Sequence, residues 1–258
     1  MEFLLHIFSY PHHLYSFFQR KVLFDIRPNE LVLDVGSGDK PFWRADVIAD
    51  KDIVDDGQRA TGSMLFDNRK YFIEADVEKL SFKDNAFDFV FCAHLLEHVP
   101  HPDRAIKELT RVAKRGYIEV PGAIGDLLSP FPVHLWFCDY RDGVLIFQQK
   151  SKTLSFHQEV IKNFGSRVIK SPAFDYVIAK YANYYIQVFW KKSLKYKIIH
   201  VSDPYSYWYS PNTRHAKTTS ENIMFRLYRI YYLVMTTLFY RKKDIVIDSL
   251  LKHDRKKN

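Results

Sequence analysis

LVLDVGSGDKPF, residues 31–42, is an apolar run that ends in an acid, followed by two glycines one residue apart and then by charge and proline. A short apolar run closed by glycines reads as a buried strand entering a tight turn. Such a turn can cradle a dinucleotide pyrophosphate, a nucleotide phosphate, or the amino-acid end of another nucleoside cofactor. Asp34, Gly36 and Gly38 give D-x-G-x-G, but the third glycine of G-x-G-x-x-G would fall at Pro41. Proline cannot provide the close helix–strand packing that glycine permits, so the NAD fingerprint fails, and so does the phosphate loop G-x-x-x-x-G-K-[ST].

Outward from this turn, DVIA (46–49), YFIEA (71–75), FDFVFCA (87–93) and GYIEV (116–120) also read as buried strands. HPDRAIKELTRVAKR (101–115) lies between the last two, with Ile106, Leu109, Val112 and Ala113 at helical spacing. Asp103 near its start and Lys114 and Arg115 near its end suit the helix dipole. Strands alternating with helices predict an α/β fold: a Rossmann-like, doubly wound, mostly parallel sheet. FDYVIAK (174–180), NYYIQVFWKK (183–192) and KYKIIHVS (195–202) read as further strands, forming an antiparallel edge. Residues 36–45 leave only ten positions between the first two strands, Pro41 among them, too few for an ordinary crossover helix. A truncated helix or a single turn is predicted there. The reading divides the chain into an N-terminal helical segment (1–30), a cofactor-binding domain (31–200) and a basic, aromatic, helical extension (201–258).

Asp50 closes the second strand, Asp76 follows the third, and His94 follows the fourth. Ligands of open parallel sheets sit at the carboxyl ends of the strands, so Asp34, Asp50, Asp76 and His94 are expected to converge on one crevice.

LDVGSG followed by ADVEKLSFKDNAFDFVFCAHLLEHVPHPDRAIKELTRVAKRGYIEVP resembles the class I S-adenosylmethionine-dependent methyltransferases of the type 11 family, over residues 31–122. The resemblance implies S-adenosyl-L-methionine as cofactor. It implies that Asp34, Gly36, Ser37 and Gly38 hold its methionine part and that Asp50 holds its ribose. Asp76 with the Val77 backbone would take the adenine, and Ala93 and His94 would lie beside the sulfonium. The chain departs from the family in Lys40, which stands in place of the usual third glycine, and in its short first crossover. KRGYIEVP followed by HLWF is also similar to a subgroup associated with surface-glycan biosynthesis, which implies a glycan or other small-molecule acceptor.

Methyl transfer from a sulfonium mainly requires that the acceptor atom be held in line, and a hydroxyl acceptor also gains from a base. His94, His98 and His134 are the candidate catalytic residues, with Glu97 beside them. His94 and His98 would share a face if A-H-L-L-E-H turned helical. Their H-x-x-x-H spacing lacks the H-E-x-x-H layout of zinc proteases, and no metal is assigned. His12, His13, His101 and His157 are isolated in sequence. SPFPVHLWFCDY (129–140), which contains His134 and Trp136, is expected to roof the acceptor pocket or to join the core.

Composition narrows the class further. A chain of 258 residues, 47% of them hydrophobic, buries a full core. Two cysteines, Cys92 and Cys138, are too few for a disulfide framework and suit a reducing compartment. MEFLLHIFSYPHH does not make a signal peptide, and no uncharged run reaches the ~18 residues of a spanning helix. A cytoplasmic protein is expected. Residues 1–149 hold 17 Lys+Arg against 23 Asp+Glu, whereas residues 150–258 hold 21 against 7. The basic part includes ENIMFRLYRIYYLVMTTLFYRKK (221–243), an apolar-aromatic body flanked by Arg226, Arg229 and the cluster Arg241, Lys242, Lys243. Such a helix can lie in a membrane interface, pack on the sheet, or join two subunits as a homodimer. An RNA methyltransferase using the basic half, or a scaffold that binds cofactor without catalysis, are the alternatives. The sequence lacks the proline before Cys92 found in cytosine-C5 enzymes, and AHLL is not the motif of base amino-group enzymes, which makes nucleic acid unlikely as the substrate.

Overall fold

A computed structural model describes residues 24–51, 65–128, 131, 133–152, 185–205 and 219–252. Six strands form the main sheet: β1 (Val32–Val35), β2 (Val47–Asp50), β3 (Tyr71–Glu74), β4 (Phe89–Ala93), β5 (Arg115–Pro121) and β8 (Tyr185–Lys191). Their order is β3-β2-β1-β4-β5-β8, with β8 antiparallel to β5 and every other pair parallel. The fold is α/β and Rossmann-like, with the antiparallel edge that NYYIQVFWKK predicts.

Burial explains why these strands were legible. β1 is buried at every position, as expected of a strand covered on both faces, while β8 alternates, with Ile186, Val188 and Trp190 inward. The two faces carry separate cores. Leu33, Val35, Val90, Cys92 and Ile118 belong to the larger one, and Val32, Ile48, Phe89, Phe91 and Tyr117 to the smaller. Helix α1 (Pro102–Val112) packs Ala105, Ile106, Leu109 and Val112 against the larger core. Pro102 sits in its first turn, where its missing N–H costs nothing. The helix ends at Val112, so Arg115 begins β5 rather than closing the helix.

KYKIIHVS does not extend the main sheet: its strand β9 (Lys195–Ile199) pairs in parallel with β7 (Val144–Gln149) in a separate three-stranded sheet, order β6-β7-β9. Residues 136–141, within the segment expected to roof the acceptor pocket or to join the core, form β6 (Trp136–Arg141), antiparallel to β7, and place Trp136 and Cys138 in the larger core. Asp142 and Gly143, both at positive φ, make the turn between them; Asp-Gly between apolar runs was the available hairpin signal. AHLLEH does not turn helical: Leu96–His98 form a turn. Residues 24–30 are extended and turn, and the rest of the predicted N-terminal helical segment lies outside the described residues, as does FDYVIAK.

The connection from β1 to β2 consists of turns, as its length requires. A distant helix covers it. In α3 (Thr219–Leu238), Tyr228, Tyr232 and Thr236 recur every fourth residue and are buried, with Tyr240 continuing the stripe beyond the helix. Tyr228 Oη donates to the Pro41 carbonyl, Tyr232 Oη to Asp67 Oδ2 (3.0 Å), and Arg69 Nη2 to Thr236 Oγ1 (2.7 Å). Leu227, Ile230, Leu233, Val234 and Leu238 point outward. Lys243 of the terminal basic cluster turns inward to Asp46 (2.8 Å), while Arg241 and Lys242 stay exposed. Among the described residues no helix is long and apolar enough to cross a membrane. A last short helix, α4 (Ile247–Leu250), precedes Leu251, which bridges to Phe82.

Candidate active site

Parallel strands in the order β3-β2-β1-β4 bring the carboxyl ends carrying Asp76, Asp50, Asp34 and His94 side by side, at the position where ligands of this architecture bind. The acids organise the glycine turn. Asp34 is buried and its Oδ2 accepts the Phe42 N–H (2.7 Å), which fixes the way out of the turn; Phe42 then stacks on Phe91, ring centroids 4.5 Å apart. Asp50 Oδ2 accepts the Gly38 N–H (2.9 Å), and the Gly36 N–H donates to the Ala49 carbonyl (2.8 Å). Both glycines have positive φ, the conformation that L side chains resist. A Cβ at Gly36 would lie 2.6 Å from Leu95 Cδ2. Asp76 pairs with Lys51 (2.9 Å) and accepts the Glu78 N–H; burial opposes its charge, but Lys51 outweighs it and holds its pKa below the usual carboxylate value. Val77 is buried beside it.

These residues fit S-adenosylmethionine. Ser37 Oγ is buried in the turn without a hydrogen-bond partner among the described residues. A free hydroxyl, backbone stripped of side chains, and carboxylates at the next two strand ends suit an amino acid joined to a nucleoside.

Beyond β4 the three candidate catalytic histidines gather around one carboxylate. His94, at φ 55°, follows Ala93, and its backbone N–H donates to the Glu119 carbonyl (2.9 Å). Its Nε2 lies 2.9 Å from Glu119 Oε1 and its Nδ1 3.4 Å from Glu97 Oε1. His98 Nε2 is 3.8 Å and His134 Nε2 4.0 Å from the same Glu97 oxygen. Glu97 is fully buried; burial opposes its ionisation, but the hydrogen bond of His94 and the neighbouring imidazoles outweigh that and lower its pKa. For His94, desolvation is overcome by Glu119 and Glu97 and the pKa rises. Braced between two carboxylates, His94 is suited to positioning rather than to accepting a proton. Burial lowers the pKa of His98 although Glu97 pulls it upward.

Two further carboxylates were missed by the sequence reading. Glu119, buried in β5, also accepts the Tyr117 hydroxyl (2.5 Å). Asp126, in the short helix α2 (Ala123–Leu128), hydrogen-bonds His134 Nδ1 (3.0 Å) and pairs with Lys150 Nζ (2.5 Å). An acid inside a buried strand, as in GYIEV, was the available signal for Glu119, since burial demands a partner. Cys92 and Cys138 are free, buried thiols with pKa values pushed up by burial, which leaves them unreactive.

Residues 49–118 match the family model described as a methyltransferase domain, of type 11. The chain is 44% identical over 59 residues to the ubiquinone/menaquinone biosynthesis C-methyltransferase UbiE of Brucella canis, covering 23% of this chain and 22% of that protein. It is 34% identical over 103 residues to UbiE of Ectopseudomonas mendocina, covering 35% and 40%. The chain thus spans less than half the length of the curated relatives it matches. Among solved structures, a SAM-dependent methyltransferase of Thermotoga maritima aligns over 46% of this chain and 55% of its own, at 22% identity and a TM-score of 0.32.

Proposed function

We propose that this chain, which carries a class I type 11 methyltransferase domain, moves a methyl group from S-adenosyl-L-methionine to a small-molecule acceptor beside His94. The observation that carries the reading is the D-x-G-x-G turn backed by Asp50 and Asp76 at successive strand ends. When bound, S-adenosylmethionine supplies an electrophilic methyl group on a sulfonium whose departure leaves a neutral thioether. Asp34, Gly36, Ser37 and Gly38 receive its amino-acid part, Asp50 the ribose, and Asp76 with Val77 the adenine. Ala93 and His94 border the reacting end. Holding the acceptor in line there can contribute about 7–11 kcal/mol towards the barrier. Deprotonation of a hydroxyl acceptor falls to the cluster of Glu97, His98 and His134.

The acceptor we assign is a glycan, on the similarity of KRGYIEVP and HLWF to glycan-modifying enzymes. Calorimetry with S-adenosylmethionine, its demethylated product and NAD is the first test, followed by transfer of labelled methyl to lipid-linked glycans and to aromatic quinol precursors. Binding of both sulfur compounds and not NAD, with label entering the glycans, is expected. NAD binding without either sulfur compound overturns the cofactor assignment, and label entering only the quinols overturns the acceptor.

A lipid-linked acceptor would call for contact with a membrane surface, and the outward apolar stripe of α3 favours it: Ile230 is 59% and Leu233 61% exposed. Exposed Arg226, Arg241 and Lys242 lie near it, each contributing about 1 kcal/mol at an anionic surface. Co-sedimentation with anionic vesicles, lost in high salt, is the expected result. No sedimentation, or equal sedimentation with neutral vesicles, assigns the stripe to another surface.

A further inference from the structure

The turn after β4 and the residues before β6 bring one ligand atom each of Glu97, His98 and His134 within 4.8 Å of one another. We propose that these three side chains hold a divalent first-row transition-metal ion, zinc foremost. The first support is Glu97 itself. It is 0% exposed, and its polar neighbours among the described residues are imidazoles that stand off from Oε1: His94 Nδ1 at 3.4 Å, His98 Nε2 at 3.8 Å and His134 Nε2 at 4.0 Å. A buried carboxylate in that condition calls for a charged partner.

The second support is the way the histidines are held. Asp126 engages His134 Nδ1 at 3.0 Å, which leaves Nε2 as the ligand and turns it towards Glu97. A carboxylate behind a histidine is the usual outer shell of a metal site, where it fixes the ring and raises its basicity. The two segments are also tied together by their backbones: the Leu135 N–H donates to the Glu97 carbonyl (2.8 Å) and Trp136 Nε1 to the Val99 carbonyl (2.8 Å). The donor set stands on a rigid frame.

The third support is the chemistry of the set. Two imidazoles and one carboxylate match zinc and non-haem iron sites that keep a coordination position open. Ligand atoms around tetrahedral zinc, with bonds of ~2.0–2.1 Å, stand about 3.3–3.4 Å apart. The imidazole nitrogens lie 3.8 and 4.0 Å from Glu97 Oε1, and all three ligand atoms lie within 4.8 Å of one another, so ion binding requires the set to draw in by about an ångström. The set has no H-E-x-x-H spacing, because His134 joins it across β5 and α2. Bound there, the ion lowers the pKa of a coordinated acceptor hydroxyl. That consequence rests on the methyl-transfer reading; ion binding itself does not.

The rival to the ion is a proton, with the histidines pairing with Glu97 as imidazolium groups. Full-length chain stripped with chelator and titrated with zinc alone, against a chromophoric chelator, separates the two. Cobalt(II) in place of zinc adds the visible spectrum of an N/O-ligated ion. A single ion per chain is expected, weakened about 100-fold or more by Glu97→Gln and by His98→Gln, beyond the range of outer-shell losses. His101→Ala, an exposed histidine outside the set, should bind as the parent does. Glu97→Gln keeps the side-chain shape and removes a buried charge, and circular dichroism checks that each variant folds; if one does not, the other is read. No zinc binding by the parent chain, or equal affinity in folded Glu97→Gln and His98→Gln chains, overturns the proposal. Donor and acceptor are absent throughout, so a failed transfer assay cannot imitate either result.

Discussion

Asp126→Ala is expected to destabilise the chain by about 3–5 kcal/mol, the usual cost of stripping one partner from a buried ion pair. The loss concentrates on Lys150, which is 2% exposed, faces the Asp126 carboxylate at 2.5 Å and lies over the Phe137 ring at 4.8 Å. Desolvation already holds the pKa of Lys150 below its ordinary value although Asp126 pulls it upward. Without the aspartate, the ammonium must shed its proton or draw water into the core. His134 loses its Nδ1 partner in the same step. Denaturant unfolding measures the change. Asp126→Leu combined with Lys150→Met should recover most of the loss, because removing both charges also removes the desolvation cost. A single-variant loss below about 1 kcal/mol would mean that the pair is solvated and contributes as surface pairs do.

Gly36→Val is the second large effect. A β-branched residue at φ +71° is a genuine backbone outlier, and its Cβ would meet Leu95 Cδ2 at 2.6 Å and Cδ1 at 2.9 Å. Backbone strain and overpacking together are worth about 2–5 kcal/mol. Leu95 can swing aside, but it sits between His94 and Leu96, so the shift is passed to the end of β4. The turn either keeps its shape, and the chain loses stability, or relaxes, and donor affinity falls. Thermal unfolding and donor calorimetry on the same variant capture both routes, and Gly36→Ala should give a smaller version of each. Unchanged values in both measurements would place the donor elsewhere and show the turn to be plastic.

The sequence made β1 to β5 legible because each is a short apolar run with little competing periodicity, and the sheet order then aligned Asp34, Asp50 and Asp76 without further information. The β6–β7 hairpin was harder. Trp136, Phe137 and Cys138 are all buried in succession, which hides the alternation that marks a strand. Glu119 was marked only as a buried acid in need of a partner, and Asp126 not at all, because their partners, His94, His134 and Lys150, come from other elements. Glu97 was legible beside His94 and His98, but its closeness to His134 depends on β5 and α2 folding back. Local pattern located the strands and the cofactor turn. Long-range closure, which local pattern does not encode, built the histidine cluster.

Tyr228 closes the turn that leaves β1, and its bond to Pro41 spans 187 residues. Contacts so distant in sequence pay their loop-closure entropy late and slow the final stage of folding. During synthesis the strands carrying Asp34, Asp50 and His94 can pair long before Tyr228 leaves the ribosome. Until then Trp43 lacks the Phe239 ring beside it, and the Pro41 carbonyl lacks its tyrosine donor. A nascent chain therefore acquires its strands early and its finished turn only once Tyr228 has emerged.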